Sequence, residues 1–160
     1  SLLDKKSKSK NEKLPLNDLL FQLESKYNVH QKRNISFLFD KKQFKGVIVN
    51  ELEFLRLMSN LINNAIYSSL TYVKVKIKKD EKYVVIFVSN DFKNIDEESL
   101  KNYGKKMAKR KIDLKNKNSS LGLGSVIVST IVKKWLGDLT IDVDKKNNEI
   151  EIKVKFPYSH

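Results

Sequence analysis

The sequence predicts a single α/β domain in which an antiparallel or mixed sheet carries helices on one face. Three observations lead there. Alternating or β-branched runs come in pairs joined by short polar links. Between the pairs lie runs whose apolar residues recur at three and four, the helical period. No internal repeat and no domain boundary is visible after residue 14, so strand pairs and helices share one core.

The elements follow in order. Residues 1–13 are polar and lysine-rich and read as a mobile tail or the end of an upstream linker. Leu16, Leu19, Leu20 and Leu23 stand at helical spacing behind Pro15, which places the first helix at about 14–27. NISFLF (34–39) and FKGVIV (44–49) are strand runs, and Asp40 to Gln43 between them reads as a hairpin connection. Residues 51–69 form a helix with Leu52, Leu55, Met58, Leu61, Ile62, Ala65 and Ile66 on one face. YVKVKIKK (72–79) alternates strictly, a strand with one wet face. KYVVIFVS (82–89) is continuously apolar and is expected to be buried on both sides, paired with its neighbour through Lys79-Asp80-Glu81. A short helix is expected at 96–103 and a mobile loop at 104–120. A helix at 123–135, closed by Gly137, precedes the hairpin strands 138–143 and 148–156.

Composition narrows the function classes. A chain of 160 residues, 40% apolar, is long enough for a real core. It has no cysteine, which excludes a disulfide framework and a zinc–thiolate site and fits a reducing compartment. No run approaches the about 18 apolar residues of a membrane span. The start, SLLDKKSKSK, lacks the apolar core of a signal peptide. The expectation is a cytoplasmic domain, with any membrane segment lying upstream. A net charge of +13 implies attraction to something anionic, although most surface lysines are simply solvated.

The residues that carry chemistry begin with NLINNAIYSS (60–69). Asparagine is a poor helix-interior residue because its amide competes for backbone groups. Yet Asn60, Asn63 and Asn64 fall within an apolar helical run. Asn60 and Asn64 are four apart and share a face. A neutral amide oxygen can bind Mg²⁺, which keeps several waters and takes phosphate oxygens as further ligands. That face therefore suits a metal–nucleotide pair, although polar positions at a helix edge are also ordinary. Downstream, LGLG (121–124) precedes an apolar helix. Glycines let backbone approach a ligand closely, and a helix N-terminus favours phosphate. The segment before it carries eight basic residues between Lys101 and Lys117.

In this order the pieces resemble the catalytic ATP-binding domain of sensor histidine kinases. Those belong to the GHKL superfamily, with DNA gyrase, the Hsp90-type chaperones and the mismatch-repair ATPases. The resemblance covers about residues 14–160. RLMSNLINNAIYSS resembles the N-box, VSNDFKNIDEESL the first glycine box, and SSLGLGSVIVSTIVKKWLGDLTIDV the second glycine box with its helix and strand. NEIEIKVKFP resembles the closing strand. The resemblance implies the Bergerat ATP-binding fold: an α/β (α+β) two-layer sandwich with a mixed, mostly antiparallel sheet of about five strands and three helices on one face. It implies ATP and Mg²⁺ as cofactors, with Asn64 as metal ligand. Asn60 stands where hydrolytic members carry a glutamate base, which suits phosphoryl transfer to a histidine rather than hydrolysis. Tyr67 follows the N-box where a residue covering the nucleotide is often found. Gly122, Leu123 and Gly124 would wrap the phosphates, with Lys105, Lys106 and Lys109 nearby.

The chain departs from the family pattern at the first glycine box. The motif D-x-G-x-G aligns on Asn90, Asp91, Phe92, Lys93 and Asn94, so both glycines are absent and the adenine-reading aspartate falls on Asn90. An amide can still accept a hydrogen bond from the adenine amino group. Asp91 takes that role only if the register shifts by one, which turns side chains to the other face. The phosphoacceptor histidine is expected on an upstream dimerisation domain, since neither His30 nor His160 has the expected context. The implied partners are that domain, a response regulator, and a second copy in the full-length protein. The alternative is a degenerate kinase-like module that acts through protein contacts. A specific nucleic-acid partner is not expected, because along the sequence aromatics are not interleaved with the basic runs.

Overall fold

In the computed structural model, which describes residues 12–29, 34–92, 110–111 and 126–158, helices form where apolar residues recur at three and four. Helix α1 (Leu16–Asn28) buries Leu16, Leu19, Leu20, Leu23 and Tyr27. Helix α2 (Glu51–Ser68) begins at Asn50, whose side chain accepts from the Glu53 N–H at 2.9 Å, an N-cap that satisfies one orphan donor of the first turn. It buries Phe54, Leu57, Met58, Leu61, Ile62 and Ala65. The stripe is turned from the expected one. Leu52, Leu55 and Ile66 are half-buried, and Phe54 and Leu57 take the centre.

Helix α3 (Val126–Lys134) shows why Gly137 is needed, and the reason is not the expected one. The left-handed residue is Leu136, at φ 58°. Its N–H bonds to Lys133 O at 3.0 Å, and the Gly137 N–H bonds to Val132 O at 2.9 Å, the pattern of a Schellman turn. Gly137 serves close approach instead. A Cβ there would meet the Lys155 carbonyl oxygen at 2.6 Å. Leu136 is 82% exposed, so its side chain repays nothing for its backbone conformation. Leu136→Gly is expected to raise stability by about 1 kcal/mol in urea denaturation.

The strands are β1 (Lys13–Pro15), β2 (Asn34–Leu38), β3 (Ile48–Asn50), β4 (Tyr72–Lys79), β5 (Tyr83–Asp91), β6 (Arg110–Lys111), β7 (Asp138–Asp144) and β8 (Glu149–Pro157). The main sheet runs β2-β4-β5-β8-β7-β6. Only β2–β4 is parallel. Five long strands and three helices make the expected sandwich. The two residues of β6 fall in the segment read from sequence as a loop and pair with Thr140 and Ile141 of β7.

One expected hairpin is absent. NISFLF and FKGVIV do not pair with each other. The first becomes β2, parallel to β4. The second begins in a 3-10 turn at Lys41–Phe44. The Asp40 side chain caps that turn through the Lys42 N–H at 3.0 Å, which buries Phe44 at 1% exposure. Gly46 then takes φ 83°. What remains, β3, pairs with β1, so Lys13 of the expected tail lies opposite Asn50. A capped turn and a buried aromatic outweighed β-propensity.

The core sits between sheet and helices. Val73, Val75, Ile77, Val84, Ile86, Val88, Leu139, Ile141 and Val154 are all buried on the helix side. Each contributes on the order of 2 kcal/mol of gross burial. Strand β5 is not buried on both sides as its apolar run predicted. Val85 and Phe87 face the other way and are half-buried.

Candidate functional site

Strand β5 runs two residues beyond its apolar pattern, and those two residues are Asn90 and Asp91. Alternation sends them to opposite faces. Asn90 pairs in register with Val73 and Ile150 and falls on the helix side with Val88. It is 4% exposed. Its Nδ2 donates to the Asp91 carbonyl at 2.9 Å, and its amide oxygen accepts from no donor among the described residues. Phe92, aligned with a glycine of the family motif, is 6% exposed and belongs to the core.

Asp91 does different work. Its Oδ1 accepts from the backbone N–H groups of Leu70, Thr71 and Tyr72 at 3.0, 2.9 and 3.1 Å. The Thr71 hydroxyl donates to Oδ2. Partial burial raises its pKa, but the Thr71 hydroxyl and the N–H groups of Thr71, Tyr72 and Leu70 outweigh that and hold it at about 2. The carboxylate thus ties the chain leaving α2 to the end of β5. It also brings the last turns of α2 to the end of the sheet where Asn90 lies.

The three asparagines of α2 have three separate environments. Asn63 is exposed and accepts from the buried Tyr27 hydroxyl at 2.9 Å, which fastens α1 to α2. Asn60 is half-buried. Its Nδ2 donates one turn back to Arg56 O at 2.7 Å, and its amide oxygen has no partner among the described residues. Asn64 is half-buried and has no hydrogen-bond partner among the described residues. Tyr67 stands 92% exposed. Lys105, Lys106, Lys109, Gly122, Leu123 and Gly124 lie outside the described residues, as do the expected helix at 96–103 and both histidines.

The donor set fits a nucleotide–metal pair. Among the described residues, no three His, Cys, Asp or Glu side chains gather as a cation site. The Asn64 amide oxygen could supply one ligand to a cation that keeps phosphates and waters as its others, the pattern Mg²⁺ favours. Asn60 is neutral and cannot accept a proton as a general base. A cleft of about 190 Å³ between Glu53, Trp135, Phe156 and Tyr158 lies elsewhere. Phe156 pairs with Val84, six positions along β5 from Asn90. Glu53 there accepts from Trp135 Nε1 at 3.0 Å and from Lys134, joining α2 to α3. The sequence reading missed that link and the anchoring role of Asp91. The local signal for Asp91 was a carboxylate two residues past the strand read at 82–89, opposite a Ser-Leu-Thr turn.

The family model described as "Histidine kinase-, DNA gyrase B-, and HSP90-like ATPase" matches residues 49–159. Among curated proteins none matches the chain. Among solved structures, the nucleotide-free catalytic domain of histidine kinase ThkA superposes with TM-score 0.63 at 18% identity, covering 91% of this chain and 94% of that one. Full-length ShkA in complex with AMPPNP gives TM-score 0.63 at 14% identity, with 92% of this chain covered and 31% of that one. The mycobacterial sensor histidine kinase MprB gives TM-score 0.58 at 17% identity, with coverage of 92% and 98%. At these identities the likeness is one of fold.

Proposed function

Because the chain belongs to the histidine kinase-, DNA gyrase B- and HSP90-like ATPase family, we propose that it binds Mg-ATP along α2 and positions it for phosphoryl transfer to a histidine on an upstream dimerisation domain. The observation that carries the reading is Asn64, half-buried and without a hydrogen-bond partner among the described residues, beside Asn60, whose amide nitrogen is already engaged. Asn64 would offer its oxygen to the metal. Buried Asn90 would accept from the adenine amino group. Mg²⁺, when bound, neutralises charge on the β- and γ-phosphates. The protein's own contribution is orientation, with no general base at Asn60 to activate water. A response regulator would then receive the phosphoryl group.

The test is phosphorylation of the full-length protein with labelled ATP. Acid-labile label is expected on histidine, and Asn64→Ala should reduce it by about 100-fold. Acid-stable label, or none in the wild type, would overturn the reading. Asn90→Leu should weaken an ATP analogue by about tenfold through loss of the contact to the base, and lower stability by about 1 kcal/mol through loss of the hydrogen bond to the Asp91 carbonyl. A second reading draws on Phe92, which fills core space where the family motif has glycine. In that reading the domain is a degenerate module acting through protein contacts, and Asn64→Ala is silent.

A further inference from the structure

On the face of the sheet away from the helices, paired residues point the same way and form rows across the strands. Lys76, Phe87 and Lys153 share one row, and Lys78, Val85 and Lys155 the next. Thr140 and Asp138 of β7 extend them. Toward the Asp91 end, the following rows hold Lys74, Ser89, Glu151 and Asp142, then Asp91, Glu149 and Asp144. Across β4, β5, β8 and β7, one half of this face therefore carries four lysines against one carboxylate. The other half carries five carboxylates against one lysine.

The basic half has an apolar seam. The Lys76 and Lys153 ammonium groups each lie 5.9 Å from the Phe87 ring centroid, on opposite flanking strands. Lys155 lies 4.3 Å from the Tyr83 ring. Neighbouring Lys76 lowers the pKa of Lys78 below the ordinary lysine value, a sign of uncompensated positive charge. Val85 and Phe87 are only half-buried, under lysine stems that can swing away. Among the described residues no helix covers this face.

We propose that the basic half of this open sheet face docks an acidic segment of a partner protein, one with carboxylates on both sides of an apolar side chain. The flanking strands β4 and β8 stand about 10 Å apart. An apolar side chain laid on Phe87 and Val85 brings neighbouring carboxylates within reach of both lysine pairs. A second copy of the chain is disfavoured as occupant by mutual repulsion of two bodies at +13 each. A single nucleic-acid strand needs a free ring face and a continuous basic track. Here lysines flank the ring and the track ends in carboxylates. Aromatics are thus interleaved with lysines across the sheet, although they are not along the sequence. The surface lies on the opposite face from α2, so it stands or falls independently of nucleotide binding.

The experiment is fluorescence anisotropy with a labelled peptide of about a dozen residues alternating Glu and Val, against an all-Glu peptide and an oligo-dT of equal length. The Glu-Val peptide is expected to bind tightest. Lys76→Glu/Lys153→Glu should weaken it by about tenfold, and Lys145→Glu/Lys146→Glu in the β7–β8 turn, with the same change in net charge, by under about twofold. Should the first variant fail to show the wild-type circular dichroism spectrum, Lys78→Glu/Lys155→Glu replaces it. Equal losses in the two variants, equal binding of the two peptides, tighter binding of oligo-dT, or no binding would each overturn the proposal.

Discussion

Asp91→Ala is expected to lower the unfolding free energy by about 2 kcal/mol, allowing for the solvent that reaches a half-exposed carboxylate. The variant removes the acceptor for three consecutive backbone N–H groups, at Leu70, Thr71 and Tyr72, and for the Thr71 hydroxyl. Those donors begin β4 and end the chain leaving α2. Urea denaturation followed by circular dichroism reads the loss. The same carboxylate predicts a pH dependence. Its folded pKa of about 2 lies below the ordinary 3.8. Its contribution is therefore complete above the ordinary value and is lost as pH falls through it toward the folded pKa. Asp91→Asn should flatten that part of the stability profile. It should leave affinity for an ATP analogue nearly unchanged, since Asn90, not Asp91, faces the helices.

Gly137→Ala is expected to cost about 3 kcal/mol. The new methyl would lie 2.6 Å from the Lys155 carbonyl oxygen, 3.1 Å from Phe156 Cβ and 3.4 Å from Val132 Cγ1. Two of these neighbours are fixed by the β8 ladder and one by α3, so no flexible side chain can yield. Gly46→Ala is the control. Gly46 has φ 83° but nothing within 4 Å, so only the backbone term remains, about 1 kcal/mol. Thermal melts of both variants separate steric from conformational cost.

Much of this architecture was legible because burial writes a period into the chain. The threes and fours of α1 and α2 and the alternation of β4, β7 and β8 each reflect one buried face. The misreadings share a cause as well. NISFLF and FKGVIV looked like a hairpin because propensity is local, whereas the partner of β2 lies beyond α2, in β4. The Asp40 cap was visible only as a polar residue between strands, and the Gly46 turn lay inside a run that read as strand. In β5, Val85 and Phe87 suggested a second buried face, because lysine stems covering an aromatic come from other strands. The asparagine face of α2 was readable from spacing. Spacing did not say which amides are already engaged, since Asn63 meets Tyr27 from another helix. The alternation of β5 separated Asn90 from Asp91 once the strand was seen to continue through both.

The central claim is that Asn64 offers its amide oxygen to a metal–nucleotide pair. It is tested most directly by calorimetric titration of the domain with a non-hydrolysable ATP analogue, with and without Mg²⁺. The account predicts micromolar to sub-millimolar binding that Mg²⁺ strengthens, and loss of that strengthening in Asn64→Ala without loss of fold. Binding identical in the variant, or no heat at millimolar nucleotide, would contradict it.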